Sequence, residues 1–323
     1  MNEQAILDTI SKQLPHTLKE THFPSLGDLY RGKVRDVYRT KERLVIITTD
    51  RVSAFDRVLG TIPYKGEILN RMAADGFQRT KDIVKNHVLS VPDPNVLVAK
   101  PVKAYPVEFV VRAYITGSLW RDFQSGKAHA YGVPFPRDLK KDQRFDRPIL
   151  TPTTKAEIGE HDQPISIEEI VARGLMTKAA WDRAEAAALR LFQRGSERAK
   201  SRGLILVDTK YELGEDEAGE LTLIDEIHTP DSSRYWIASE YETRFKNGEA
   251  QAMLDKENLR GWLIEKHGFS GEGTPPALTD DIRVTLARRY FDAFQQMTGE
   301  VFEPMVGDVL GRIEENLRRA DLL

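Results

Sequence analysis

No cysteine occurs in the 323 residues. That excludes disulfides, thiolate metal sites and a cysteine nucleophile, and it suits a reducing compartment. No apolar run approaches the roughly 20 residues that span a bilayer. The N-terminal MNEQAILDTISKQL has neither the basic start nor the apolar core of a secretory signal. A cytoplasmic protein without a membrane partner is expected, with this segment as a surface helix. An excess of one charge is also missing: the net charge is −3 with 30 % charged residues, so no nucleic-acid partner is expected. The seven histidines are scattered with no H-E-x-x-H pair, which argues against zinc catalysis. There is no G-x-S-x-G elbow and no P-loop. The glycine-rich SGEGTPPAL (270–278) is broken by Pro275 and Pro276, which prevent a dinucleotide-type helix start.

What is present is a globular chain, 40 % hydrophobic, long enough for one large domain or two ordinary ones. Ala5, Ile6, Ile10 and Leu14 recur at helical spacing and Pro15 ends the run. DLYRGKVRDVYRT and RLVIITT read as strands around tight turns, PDPN (92–95) as a turn, and VLVAK and VEFVVRAY as two more strands. Residues 1–105 are therefore expected to form a strand-rich domain and 106–323 a larger α+β domain. The pattern loosens over 115–165, a Gly/Pro-rich stretch whose Trp120, Phe123, Tyr131 and Phe135 argue against disorder. Ala180, Trp181, Ala184, Ala188, Leu191 and Phe192 mark a strong helix over 177–200, and further helical patterns lie at about 256–267, 279–297 and 302–320.

Two segments carry most of the chemistry. LILVDTKYELG (204–214) and LTLIDEIHTPDSSRYW (221–236) each start as apolar strands and run into charge. Asp208, Lys210 and Glu212 alternate and share one face of a strand. A hairpin centred on Ala218-Gly219 sets Glu212 opposite Asp225, and two facing carboxylates need a cation between them, for which magnesium is suited. The alternative is a solvated charged face, although the strands are too apolar to lie in the open.

Other motifs are weaker singly. In YRGKVRDVY a turn glycine, Gly32, sits beside Lys33 and Arg35 and offers amides and cations to phosphates; a plain basic turn is the competing interpretation. VVRAYITGSLW places Arg112 on a strand and Gly117-Ser118 on a turn, which suits an anion, or else a strand arginine paired with a neighbour. TDRVSAFD offers Asp50, Arg51, Ser53 and Asp56 to a zwitterion and reads equally as a capped helix start. TPTTKAEIGEHD supplies Lys155, Glu160, His161 and Asp162 to a polar loop; His161 and Asp162 are adjacent, so they point apart and form no relay. One acidic pair, several separate anion sites and no covalent nucleophile together point to nucleotide-dependent activation.

In this order GKVRDVY, TDRVSAFD, KGEILN, VVRAYITGS, TPTTKAEIGEHD, LVDTKYELG and IDEIHTPDSSRYW closely resemble the phosphoribosylaminoimidazole-succinocarboxamide synthase (SAICAR synthetase) family, over about residues 27–240. The resemblance implies an ATP-dependent ligase joining L-aspartate to 5-amino-1-(5-phosphoribosyl)imidazole-4-carboxylate (CAIR). It implies an α+β fold with a strand-rich, kinase-small-lobe-like N-terminal domain, ATP in the cleft beside the larger domain, and Mg²⁺ as cofactor. By resemblance Gly32, Lys33 and Arg35 cover the ATP phosphates and Val102, Lys103 and Ala104 form the adenine-contacting hinge. Glu212 and Asp225 hold the metal, with Lys210 at the transferring phosphoryl. Arg112, Ser118 and Arg234, with Asp231, Ser233 and Asp162 nearby, hold CAIR; Asp50, Ser53, Lys155 and Glu160 are candidates for the aspartate site. A kinase-like phosphotransferase and a non-catalytic nucleotide-binding module are the alternatives. A monomer and a small homo-oligomer are both compatible with the sequence.

Overall fold

The computed structural model describes residues 2–55, 57–155, 162–254 and 257–323. Packing divides the chain into two compact units: Met1–Gly76 with His87–Pro101 and Asp255–Leu323, and Phe77–Asn86 with Val102–Leu254. The sequence reading splits the chain once, at 105; the packing instead counts the C-terminal segment with the first unit.

In the first unit, α1 (Glu3–Gln13) is capped by Asn2, whose side chain accepts from the Ala5 amide. Strands β1 (Asp28–Arg31), β2 (Arg35–Arg39) and β3 (Leu44–Thr48) follow, then the hairpin β4 (Arg51–Ala54) and β5 (Arg57–Thr61), and helix α2 (Lys65–Thr80). The short β6 (Lys85–Asn86) belongs to the second unit, while β7 (Val88–Asp93) and β8 (Val96–Ala99) return to the first. The sheet is antiparallel in the order β1-β2-β3-β8-β7. Its most apolar strands, LVIIT and VLVA, lie inside, as burial on both faces demands. Leu18, Phe23, Leu26, Tyr38, Val45, Ile47 and Val96 pack with Ile313 and Leu317 of the last helix, Val309–Arg319. Arg312 of that helix donates to Asp93, Glu67 and Asn95, which is why the C-terminal segment is counted here. This helix begins at 309, not at the expected 302. Phe302 is instead buried against Tyr64, Phe291 and Phe294, and the Gly307 amide donates to Gln13, so the chain stays extended until Asp308.

The second unit is built on one long strand. Its elements are β9 (Lys103–Ala104), β10 (Val107–Tyr114), α3 (Gly117–Gln124), β11 (Arg144–Leu150), β12 (Thr153–Thr154), α4 (Ile167–Ala172), α5 (Lys178–Ser201), β13 (Leu204–Glu215), β14 (Leu221–Ile224), β15 (Ser233–Ile237) and α6 (Ala238–Asn247). β13 pairs with β10 and β9 along one side and with β15 and β14 along the other. Helix α5, capped by Thr177, lays Trp181, Ala184, Ala188, Leu191 and Phe192 on one face of this sheet, with Trp181 stacked on Phe109 at 5.3 Å. Burying each such large apolar side chain contributes about 1.5–3 kcal/mol. Of the stretch 115–165, residues 115–155 are more ordered than their composition suggests. Ile115, Leu119, Ala128 and Tyr131 gather Trp120, Phe123, Phe135 and Phe145 into a separate apolar cluster that holds α3 and β11 in place.

Candidate active site

Because α5 covers one face of β13, the alternate residues Asp208, Lys210 and Glu212 are turned to the other. β10 pairs Arg112 with Asp208 and Val110 with Lys210. Two residues before Val110, Glu108 lies on the same face by the same alternation. Two ionic groups form along this face.

At one end, Arg112 donates from Nη1 to Asp208 Oδ2 (3.0 Å), from Nε to Thr151 Oγ1 (2.8 Å) and from Nη2 to Ser118 Oγ (3.1 Å). Arg234, paired across β15 with Asp208, donates to the same Oδ2 at 3.1 Å. One carboxylate thus holds two guanidinium groups side by side, leaving a net positive cradle. Ser118 sits in the first turn of α3, not on a bare turn, because Thr116 opens a helix there. Gly117 has φ 56°, and a Cβ on it would lie 2.5 Å from Nη1 and Nη2 of Arg234, so the backbone approaches the cradle as only glycine permits.

At the other end, Lys210 Nζ donates to Glu108 Oε1 (2.6 Å) and Glu212 Oε1 (3.1 Å), and Lys155 Nζ donates to Glu212 Oε2. Burial opposes ionisation of Glu212, but the ammonium groups of Lys210 and Lys155 prevail and hold its pKa down at about 2. Burial likewise works against the charged form of both lysines, yet Glu212 and Asp225 raise them above the ordinary lysine value, Lys210 being helped by Glu108 as well. Glu108 itself is pushed up, first by burial, with Lys210 acting against this and the exposed Asp162 adding to it.

The expected hairpin register is off by one. Glu212 pairs with Ile224, not with Asp225. A regular strand would then send Asp225 to the α5 side. Asp225 instead adopts φ 67°, a left-handed conformation that aspartate tolerates, which breaks the alternation. Its charge acts on both Lys210 and Lys155, raising the pKa of each.

Two of the hinge candidates form β9, which pairs with the same strand. Ala104 and Lys103 pair with Gly214 and Glu215, and a Cβ at 214 would sit 2.4 Å from the Lys103 carbonyl oxygen and 2.8 Å from Val102 Cγ1. In the first unit, Gly32 closes the β1–β2 turn by donating from its amide to the Arg35 carbonyl (2.8 Å), with Lys33 exposed between them. Buried Arg51 braces this turn from behind, donating to the carbonyls of Gly32, Lys33 and Lys19 and to Asp36.

Several candidates belong elsewhere. Asp50 is buried and accepts from the Leu18 and Gly66 amides (2.8 and 2.9 Å). Burial raises its pKa to about 6, and it serves the fold rather than a zwitterion, as does Arg51. Ser53 is half-buried in β4. Ser233 pairs with Thr209 and their hydroxyls lie 2.7 Å apart on the covered side of the sheet, opposite to Arg234. Asp231 is half-buried in the turn organised by Thr229, whose Oγ1 accepts from its amide. Glu160, His161 and Asp56 lie outside the described residues. Lys155 is drawn to Glu212. Sequence reasoning gave no role to Glu108 or to the bridging part of Asp208, although strand alternation from Arg112 and Lys210 marks both acids, and it set Thr151 in a polar loop where the structure pairs it with Arg112.

Two carboxylates among ammonium groups suit a divalent cation. Among the described residues no three His, Asp or Glu side chains form a complete ligand set, so substrate oxygens and water would supply the remaining positions, as is usual for Mg²⁺.

Comparison with known proteins follows the same residues. The family model for SAICAR synthetase matches residues 28–275. A phosphoribosylaminoimidazole-succinocarboxamide synthase of Legionella pneumophila is 48% identical over 311 residues, covering 94% of this chain and 99% of the relative. That of Bacteroides fragilis is 48% identical over 306 residues, covering 93% and 97%. Among solved structures, a SAICAR synthase from Saccharomyces cerevisiae complexed with SAICAR superposes with a TM-score of 0.77 at 31% identity, covering 89% of this chain and all of that one.

Proposed function

The chain belongs to the SAICAR synthetase family, and from that premise we propose that the uncovered face of β13 is its catalytic surface. The activity is the family's: ATP-dependent joining of L-aspartate to CAIR, giving SAICAR, ADP and phosphate in purine biosynthesis. The kinase-like phosphotransferase and the non-catalytic binding module are set aside by this match.

The observation that carries the assignment of the surface is the order of charge along one strand face. An arginine pair held by Asp208 lies at one end, and Lys210 with Glu108, Glu212 and Asp225 at the other. Arg112, Arg234 and Ser118 form the cradle for the CAIR phosphate, since two guanidinium forks and a hydroxyl match its oxygens. Lys210 neutralises the substrate carboxylate and the phosphoryl group arriving on it. Glu212 and Asp225 would hold Mg²⁺, which when bound supplies charge stabilisation for phosphoryl transfer. Gly32, Lys33 and Arg35 cover the ATP phosphates, with Arg51 as their strut, and Val102–Ala104 face adenine. Asp162 contributes its charge beside Glu108 at the Lys210 end, where the CAIR carboxylate would lie. Asp231 keeps the turn before Arg234 in register. For the aspartate co-substrate the remaining proposals are Ser53 and Glu160.

The chemistry needs activation because a carboxylate would have to expel oxide when attacked by an amine. Transfer of the γ-phosphoryl of ATP to the CAIR carboxylate releases ADP and gives an acyl phosphate. The aspartate amine then attacks, loses a proton and displaces phosphate. Alignment and charge stabilisation on a fixed strand face serve both steps. Phosphate release with each substrate omitted in turn tests this: release requires ATP, CAIR and aspartate together. Sustained ADP formation without aspartate would refute the ligase assignment.

A further inference from the structure

On the α5 side of the second unit, away from the catalytic face, a recess of about 530 Å³ opens between α5, the segment before β6 and the β13–β14 hairpin. Its shape follows from α5. Ala186 and Ala187 leave the helix surface low between Arg183 and Arg190, which are seven residues apart and therefore rise on the same side of the helix. Val84, Ala187 and Leu221 make an apolar floor, and Lys85 stands on the facing wall.

The charges in this recess are unevenly satisfied. Arg183 donates to Glu215, and Lys85 pairs with Glu220, both as exposed surface pairs. Such pairs contribute about 0–1 kcal/mol and yield readily to a better anion. The neighbouring Arg194 is spent, donating to both oxygens of Asp82 and to the Arg79 carbonyl. Arg190 has no hydrogen bond or ion pair among the described residues, and its charge acts on Asp82 from a distance. The lining residues alone carry three cations (Lys85, Arg183, Arg190) and one carboxylate (Glu220), 3 − 1 = +2, with Glu215 and Asp82 acting on Arg183 and Arg190 from outside the lining.

We propose that this recess is a second ligand site, separate from the catalytic face, for a small phosphate monoester carried on a flat ring, the chemistry of a nucleoside monophosphate. The phosphate dianion matches the charge of the lining and is forked by Arg190, with Lys85 and Arg183 turning inward from their surface partners. The ring lies on Val84, Ala187 and Leu221, within a volume typical of small-molecule sites.

Calorimetric titration of the intact protein with AMP tests the proposal, with adenosine and inorganic phosphate as the two halves of the ligand. AMP binds the wild type, and Arg190→Glu weakens that binding at least tenfold while leaving kcat and KM for the ligase substrates unchanged. Arg190→Ala weakens it less, and Lys85→Ala by a few fold. Any AMP held on the catalytic face is untouched by these substitutions, so binding that ignores Arg190→Glu overturns the proposal, as does absence of AMP binding. Adenosine binding as tightly as AMP would remove the anion from the argument, and inorganic phosphate binding as tightly would remove the ring.

Discussion

The arginine cradle is testable through a residue that contributes no side chain. Gly117→Ala places a methyl group where the structure has 2.5 Å to Nη1 and Nη2 of Arg234 and 2.9 Å to its Cζ. Carbon and nitrogen need about 3.5 Å, so the guanidinium must withdraw by about 1 Å. It lies at the end of a flexible side chain and can do so without disturbing the core. The cost to the fold is the left-handed φ of 56° imposed on alanine, about 1–2 kcal/mol. The cost to binding is one displaced charge-assisted contact to the substrate phosphate, about 1.5–3 kcal/mol, which corresponds to roughly a 10- to 150-fold weakening. The phosphate is remote from the reacting carboxylate and is held equally before and during reaction. The loss therefore falls on KM for CAIR, with kcat close to the wild-type value. Steady-state kinetics with CAIR varied at saturating ATP and aspartate, together with thermal unfolding, give both quantities. A variant with a lowered melting temperature and an unchanged KM for CAIR would refute the cradle, since a purely structural glycine predicts that pattern.

Glu212→Ala is expected to lower synthesis by at least about 10²-fold with its circular dichroism spectrum intact; near-normal turnover would reject the metal assignment. Gly214→Ala drives a Cβ to within 2.4 Å of the Lys103 carbonyl oxygen, so it should raise KM for ATP more than KM for CAIR in initial-rate measurements, and equal effects on both would disconnect Val102–Ala104 from adenine. His228 packs half-buried against Gly195, with Nε2 2.7 Å from the Tyr211 hydroxyl, and desolvation, aided by Arg198, pushes its pKa from 6.5 down to about 3. As pH falls the unfolded chain takes up the proton first, so this contribution is full above pH 6.5 and is lost toward pH 3. Between pH 6.5 and 5 it removes about 2 kcal/mol, and urea unfolding of His228→Gln should lack that component of the pH slope.

Much of this was legible in the residues because strand chemistry is local. Alternation alone put Asp208, Lys210 and Glu212 on one face, and VEFVVRAY is a strand over the same eight residues, Val107–Tyr114. The misreadings came where long-range packing decides. TDRVSAFD offers charges in a pattern that suits a zwitterion, but Asp50 and Arg51 are consumed by backbone groups of segments 16 or more residues away. SSRYW carries its arginine on β15, a strand stabilised by β13, and the alternation of that strand sends Ser233 away from Arg234. The order within 115–155 rests on aromatic side chains that meet only after α3 and β11 are placed.

The hairpin shows how a wrong register can still lead to the right neighbours. Counting from the turn put Glu212 opposite Asp225, whereas the ladder pairs it with Ile224. A one-residue slip in an ordinary strand exchanges the two faces, and Asp225 would then have been turned toward α5. The left-handed φ at Asp225 breaks that alternation, and the charge of Asp225 acts on Lys155 and Lys210. The strand ends at Ile224 because the next residue is set to a conformation that the ladder does not accept. That conformation is tolerable for aspartate, with its short polar side chain, and costly for most other residues. The same residue therefore terminates the strand and sets its charge to act on Lys155 and Lys210, which lie at the face proposed as catalytic.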